Sequence, residues 1–203
     1  ACRRPGPLAA RERETGGADP WPLARIAREG GRRRSPRTGE GRCLKIAVPL
    51  FQAVNTLSDK QGNKMNLAIG LGNLSLDHIR LGELATADAN LCRRIDLCRE
   101  ISDELNEAIG HQELGRLLAF RGVFEDAGTE LTCAIDSFTK SDDVQSQCVV
   151  WGYGAIRALL MGDPKAALED ARSSRKLADK AAVTQYPRER DFVRSEWLIG
   201  WSL

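Results

Sequence analysis

Three stretches of the chain follow one pattern at a spacing of 40 residues: LGELATADANL at 81–91, RGVFEDAGTEL at 121–131 and MGDPKAALEDA at 161–171. Each stretch has a glycine at its second position and an alanine five residues later. These residues are Gly82, Gly122 and Gly162, followed by Ala87, Ala127 and Ala167. Each glycine follows an apolar stretch with helical spacing and opens another, so the pattern predicts a helix, a break and a second helix.

The segments that precede these glycines repeat at the same spacing. A set of residues in 66–74 returns in 106–114, and a looser third copy occupies 146–154. The members are Asn66, Ala68, Ile69, Gly70 and Leu74; Asn106, Ala108, Ile109, Gly110 and Leu114; and Ser146, Cys148, Val149, Val150 and Gly154. Two independent sets at one period indicate a repeat architecture in which each copy is one supersecondary unit.

The apolar spacing within each copy predicts a pair of helices, and therefore an all-α fold. In the first copy one stripe of residues at helical spacing precedes the glycine and another follows it. The first consists of Leu67, Leu71, Leu74 and His78, and the second of Ala87, Leu91 and Ile95. No segment has the sustained alternation of a strand. We predict helical hairpins at about 64–99, 104–140 and 143–179, preceded by a helix at about 43–57 and followed by one at about 188–203. The polar pairs Ser102–Asp103 and Ser141–Asp142 predict N-caps for the second and third hairpins.

The leucines, glycine and alanine of these copies are spaced as in a known family. Leu74, Leu81, Gly82, Ala87 and Leu91 form the pattern Leu-x6-Leu-Gly-x4-Ala-x3-Leu, which resembles the tetratricopeptide repeat. Further matches are Leu114, Gly115, Ala134 and Trp151. The resemblance implies a right-handed α-solenoid of antiparallel helix hairpins over residues 44–203. The period of 40 exceeds the family's usual value of about 34 and is similar to that of the sensor arms of bacterial multidomain ATPase regulators.

In a solenoid of this kind the first helix of each hairpin lines an extended concave face. The resemblance places six residues there as contacts for a partner: Arg80, Gln112, Arg116, Phe120, Ile156 and Leu160. The two arginines then either bind carboxylates of a peptide or are ordinary surface charges. The apolar third copy indicates an amphipathic helix as ligand, a partner subunit, or coverage by the chain's own last helix.

The repeat, together with the lack of a catalytic constellation, predicts a non-enzymatic scaffold that binds a protein or peptide and needs no cofactor. The alternatives are a ligand-sensing or peptide-sensing module and a self-association module that uses Trp197 and Trp201 of the last helix. Because the chain begins with Ala instead of Met, we expect a fragment of a larger signalling or regulatory protein. A processed product and a misread frame over residues 1–43 stay open as alternatives.

The histidines and the glycine pairs give little support to a catalytic site, a metal site or a phosphate-binding site. His78 and His111 are the only histidines, and we expect them to be packed or surface residues rather than partners of a carboxylate such as Glu113. The glycine pairs in 70–72 and 152–154 fall in mid-helix and lack a following Lys-Ser or Lys-Thr. They predict close helix packing and not a phosphate-binding loop.

The six cysteines lack the paired spacing of a metal site or a disulfide framework. Cys92 and Cys98 do not share a helix face, so no zinc site is predicted. Cys133 and Cys148 lie on helices of adjacent hairpins, where they approach each other or serve as small buried residues. With no export signal, we expect reduced thiols in a cytoplasmic protein.

The net charge of +2 hides an uneven distribution. Residues 1–43 hold 11 Arg, five acidic residues, seven Gly and five Pro, and we predict that they form a basic disordered tail. The remainder is mildly acidic, so we expect no nucleic-acid binding by the helical domain. The basic run at 32–37 favours a solvated tail over a contact with phosphates. No apolar run is long enough to span a bilayer.

Overall fold

The computed structural model describes residues 40–185 and 188–203, and every regular element in them is an α-helix. The prediction of an all-α fold is therefore confirmed for this part of the chain. The eight helices are α1 (Glu40–Lys60), α2 (Lys64–Leu81), α3 (Leu84–Glu100), α4 (Glu104–Phe120), α5 (Phe124–Lys140), α6 (Val144–Met161), α7 (Pro164–Thr184) and α8 (Glu189–Ser202).

Short turns with local stop and start signals separate the helices. Glycines with positive φ close the turns after α2, α4 and α6: Gly82 at 79°, Gly122 at 78° and Gly162 at 80°. Without a Cβ atom, these residues adopt the left-handed conformation at little cost. The side chain of Asp103 accepts a hydrogen bond from the N–H of Asn106 at the start of α4, as a polar N-cap does.

The next predicted N-cap lies one residue further along the chain than expected. The polar pair Ser141–Asp142 predicts a cap for α6, but the capping side chain is that of Asp143, which accepts from the N–H of Ser146. Asp142 instead has a positive φ of 50° and forms the turn itself. Asn63 and Asp163 cap α2 and α7 in the same way.

Each helix packs mainly on its neighbours in the sequence, so the core is a row of small clusters. The stripes predicted for the first copy are buried in α2 and α3. Between the second and third copies, Phe138 and Leu131 of α5 pack with Val150 of α6 and Ala108 of α4. The last helix, α8, packs on α7 and also contacts α6.

Two helices extend beyond their predicted limits. Helix α7 continues to Thr184 because Ala178 and Ala181 in its last turns are buried. Helix α1 begins at Glu40, within the segment predicted as a disordered tail. The rest of that segment, including the basic run at 32–37, lies outside the described residues. None of the described helices is both long and apolar enough to cross a membrane.

Candidate functional site

The six residues predicted to contact a partner differ widely in exposure. Arg80 and Phe120 are exposed, and Gln112 is buried. The other three are partly buried: Arg116, Ile156 and Leu160. The Arg80 side chain is 60% exposed, and Phe120 is 47% exposed. Arg80 is held by a single long hydrogen bond of 3.5 Å to Asp77.

The last helix of the chain covers part of this surface. Leu198 of α8 is fully buried against Ala155 of α6 and Ala171 of α7. Ile156 and Ile199 pack around the same cluster. The apolar character of α6 is therefore explained in part by the chain's own C-terminal helix, one of the three alternatives left by the sequence.

A polar network links α4 to α6 around Glu113. Its carboxylate accepts hydrogen bonds from Gln112 Nε2 at 3.0 Å and from the hydroxyl of Tyr153 at 3.3 Å. Arg116 pairs with the same carboxylate, with 2.6 Å between Nη2 and Oε2. The guanidinium of Arg116 also lies 5.3 Å from the centroid of the Tyr153 ring. Both polar residues predicted for a partner on α4 are thus already engaged within the chain.

The tyrosine in this network is flanked by a second arginine. Arg194 of α8 lies 5.9 Å from the centroid of the Tyr153 ring and donates a hydrogen bond to Asp191 at 3.0 Å. Burial, and secondarily the charge of Glu113, raises the pKa of Tyr153, so the phenol stays neutral at physiological pH. The network joins α4, α6 and α8 and has the character of a structural tie.

The two histidines each contact a glutamate, but not the one suggested by the sequence. His78 Nδ1 lies 2.5 Å from Glu83 Oε2, and His111 Nδ1 lies 2.5 Å from Glu130 Oε2. Glu113 is taken by Arg116 and Tyr153 instead. His111 also borders a groove of about 540 Å³ between α4 and α5. No group of three or more His, Cys, Asp or Glu side chains in the described part of the chain is arranged to hold a metal ion.

Cys98, Cys133 and Cys148 are free thiols in different surroundings. Cys98 and Cys148 are buried, and Cys148 Sγ lies 3.5 Å from the hydroxyl of Ser174. Cys133 is exposed, contrary to the expectation of a buried residue. Desolvation raises the pKa of all three thiols, so they are protonated and weakly nucleophilic at neutral pH.

An open groove between α5 and α6, with its floor on α7, is a site that the sequence did not indicate. Its volume is about 660 Å³. We refer to it as the α5–α6 groove. Its lining residues are Glu125, Gly128, Thr129, Leu131, Thr132, Cys133, Ile135, Val150, Trp151, Gly154, Arg157 and Asp170.

This groove exists because a glycine replaces a leucine. Gly154 stands 40 residues after Leu114 and 80 after Leu74, both of which are 3% exposed core residues. A Cβ atom at Gly154 would lie 2.7 Å from Oδ2 of Asp170, and one at Gly128 would lie 3.0 Å from Nη2 of Arg157. The two glycines therefore leave room for a carboxylate and a guanidinium, and at the position of Gly154 the earlier copies pack a leucine instead.

The carboxyl of Asp170 is the most perturbed acid of the described residues. Burial, opposed by the charge of Arg157 and aided by that of Glu169, raises its pKa from 3.8 to about 6. No hydrogen bond or ion pair to Asp170 is formed by any side chain in 40–185 or 188–203. Such a half-buried acid is a candidate for ligand contact, because an added donor would offset the loss of its hydration.

The repeat contains a signal for this site, but that signal is a missing side chain. The departure of Gly154 from the Leu74 and Leu114 column marks where a core side chain is missing. Which acid would enter that space depends on the approach of α7, which the sequence does not give. No protein-family model matches the chain, and no curated protein is significantly similar to it.

Proposed function

We propose that this chain is a non-enzymatic scaffold of the tetratricopeptide-like kind, a right-handed α-solenoid that binds a protein or peptide partner. The observation that supports it most is the regular succession of its helices. Helices α2, α4 and α6 begin at Lys64, Glu104 and Val144, and each start is 40 residues after the previous one. Helices packed on their sequence neighbours in this way present long surfaces, which suit the binding of another chain.

The surface we assign to the partner centres on the exposed members of the predicted face, Arg80 and Phe120. An exposed aromatic side chain and an arginine with one weak contact are the residue types that most often contribute binding energy at interfaces. Cys98, Cys133 and Cys148 are free thiols, which fits a reducing compartment such as the cytoplasm. We further propose that the scaffold is part of a larger signalling or regulatory protein.

The test is crosslinked capture of partners by the purified chain, compared between three variants. Phe120→Ala and Arg80→Glu change the proposed surface, and Lys176→Glu changes an exposed charge on α7. We expect the first two to reduce capture of a specific partner at least about tenfold, or about 1.4 kcal/mol, and the third to leave it intact. Equal capture by all three variants, or turnover of a substrate by a chain that captures nothing, contradicts the proposal.

Self-association is the second candidate function, because α8 exposes large apolar side chains. Trp197 and Trp201 are 50% and 46% exposed, and their ring centroids lie 4.7 Å apart. Val193, four residues before Trp197, is also exposed, so the three form one stripe on the helix. Aromatic patches of this kind are frequent at protein interfaces.

Sedimentation velocity over a wide concentration range tests this second candidate. We expect concentration-dependent association that Trp197→Ser abolishes. Val183→Ser removes a comparably exposed apolar residue from the end of α7 and should leave association unchanged. A monomer at all concentrations rules out self-association through α8.

A further inference from the structure

The α5–α6 groove holds an acid that forms no hydrogen bond or ion pair with the described residues, beside an apolar wall. Asp170 lies at its floor, reached across Gly154, which has no side chain to block it. Val150, Leu131 and the 36% exposed Trp151 form the apolar lining. A carboxylate next to an aromatic and aliphatic surface is the combination that recognises a cation carried on a hydrocarbon chain.

The other charged groups of the groove leave it acidic. Glu125 of α5 lines it, and Glu169 of α7 adds a second negative charge beside Asp170. Arg157 of α6 is the one cation among the described residues that line it. Its Nε donates a hydrogen bond of 2.7 Å to the carbonyl oxygen of Phe124, which holds the guanidinium over Gly128 and away from ion pairing with Asp170. The carboxyl groups of the groove therefore outnumber its guanidinium.

The threonine hydroxyls of the lining already donate hydrogen bonds within the chain. The hydroxyl of Thr129 donates to the carbonyl oxygen of Glu125 at 3.2 Å, and that of Thr132 donates to Gly128 at 2.9 Å. The thiol of Cys133 is a weak donor. What the groove offers to a ligand is mainly acceptors, and this selects a ligand that brings donors.

We propose that the α5–α6 groove binds a basic side chain, arginine or lysine, of a partner peptide, with the guanidinium or ammonium group at Asp170 and the adjoining hydrocarbon at Trp151. This inference rests on the proposed function, since the basic side chain belongs to the bound partner. It also names a surface of the scaffold distinct from the Arg80 and Phe120 face. A volume of about 660 Å³ accommodates such a side chain together with an apolar neighbour.

The test uses a short probe peptide and its uncharged counterpart. Acetyl-Leu-Arg-Leu-amide is titrated into the ¹⁵N-labelled chain, and the indole N–H signal of Trp151 is followed by NMR. The citrulline peptide is nearly identical in shape but uncharged, and the glutamate peptide carries the opposite charge. We expect the arginine peptide to shift the Trp151 signal with at least about tenfold higher affinity than either, which corresponds to about 1.4 kcal/mol.

Two variants distinguish the contribution of Asp170 to peptide binding from that of Glu169. Asp170→Asn keeps the shape of the side chain and should reduce affinity for the arginine peptide at least about tenfold. Glu169→Gln removes an adjacent exposed charge that adds to the negative field of the groove, and it should reduce affinity by a much smaller factor, about twofold, because surface charges interact weakly through water. Affinity should also fall as the pH is lowered through 6, where Asp170 becomes protonated in the presence of Arg157, Glu169 and Glu125. Circular dichroism verifies that both variants fold.

Several results would overturn the inference. Equal binding of the citrulline peptide, tighter binding of the glutamate peptide, or unchanged affinity in Asp170→Asn each removes the role of the acid. If partner capture depends on Phe120 and Arg80 while the arginine peptide leaves Trp151 unshifted, the scaffold function stands and the groove is not its basic-residue site. If the peptide binds as expected but no partner is captured, the groove stands and the scaffold function fails.

Discussion

Residue 154 decides whether the space between α5 and α6 is filled. The two earlier copies place Leu74 and Leu114 in the core at the corresponding position, whereas Gly154 leaves a gap that the carboxyl of Asp170 enters. A leucine there would displace this carboxyl and close the groove. The absence of one side chain thus converts a packing position into a polar recess.

Asp170 should make stability depend on pH in an unusual direction. Its pKa in the folded chain is about 6, against 3.8 for an unperturbed aspartate. Between these values the folded state holds more protons than the unfolded state, so stability falls as the pH rises from about 4 to about 6. Burial of the ionised group at neutral pH then costs on the order of 1–2 kcal/mol, once solvent screening of this partly exposed side chain is allowed for.

Asp170→Asn should therefore stabilise the chain at pH 7.5 by on the order of 1 kcal/mol. Urea unfolding at pH 4 and at pH 7.5 measures the difference. The gain should vanish at pH 4, where Asp170 is protonated in the folded state. Asp136→Asn removes an exposed acid of α5 that is not among the charges acting on Asp170, so it serves as the control and should show no such pH dependence. A variant less stable than the parent at pH 7.5 would mean that Arg157 compensates the charge fully.

At the scale of single helices, the starts of α2, α4, α6 and α7 are determined by a few residues within one turn. Asn63, Asp103, Asp143 and Asp163 each accept a hydrogen bond from the backbone N–H three residues ahead. The starts of α3 and α5, at Leu84 and Phe124, have no side-chain cap. The first helix of each pair, and α7, are therefore fixed locally, while α3 and α5 depend more on packing.

Asp143→Ala should destabilise the chain by about 1 kcal/mol, because the first N–H groups of α6 lose their acceptor. Denaturant unfolding monitored by circular dichroism provides the measurement. Asp136→Ala removes an exposed acid from α5, away from any cap, and should change stability by less than about 0.5 kcal/mol. Similar losses in the two variants would show that charge, and not capping, is responsible.

Loss of a side chain packed between helices should lower the free energy of unfolding more than loss of a helix cap does. Phe138 of α5 is fully buried in the cluster that joins α4, α5 and α6. Phe138→Ala should cost about 3–5 kcal/mol, since it leaves a cavity at the contact of two helix pairs. Phe120→Ala, at a phenylalanine of α4 that is 47% exposed, should cost less than about 1 kcal/mol. Equal effects in thermal or chemical unfolding would place Phe138 outside the cooperative core.

At the scale of the whole molecule, packing between sequence neighbours predicts stability that varies along the chain. The central helices α4 to α6 have neighbours on both sides, whereas α8 is the last described helix and rests mainly on α7. In such arrays stability is approximately a sum over units and their contacts, so opening begins at an end.

Hydrogen exchange followed by mass spectrometry should reveal this order. We expect peptides from α8 to exchange well before those from α5, and Leu198→Ala to speed exchange in α8 far more than in α4. Denaturant dependence distinguishes local from global opening. Uniform protection that is lost in one step across all described helices would show that the chain unfolds as a single cooperative unit instead.

The sequence by itself determined that the described residues form helices, and approximately where each begins and ends. Helical spacing of apolar residues, glycines that accept positive φ and aspartate caps act within a few residues, so their effects can be read locally. The N-cap of α6, Asp143, lies one residue beyond the predicted pair, whereas the end of α7 at Thr184 lies five residues beyond the predicted 179.

Only the tertiary structure decided which side chains meet. Arg116, predicted to contact a partner, is held by Glu113 and Tyr153, while Asp170 reaches the α5–α6 groove unpaired. Both outcomes depend on how closely α4, α6 and α7 approach one another, and that distance is set by side chains far apart in the sequence. Charge pairing and burial therefore follow from the packed arrangement, whereas helix formation follows from local spacing.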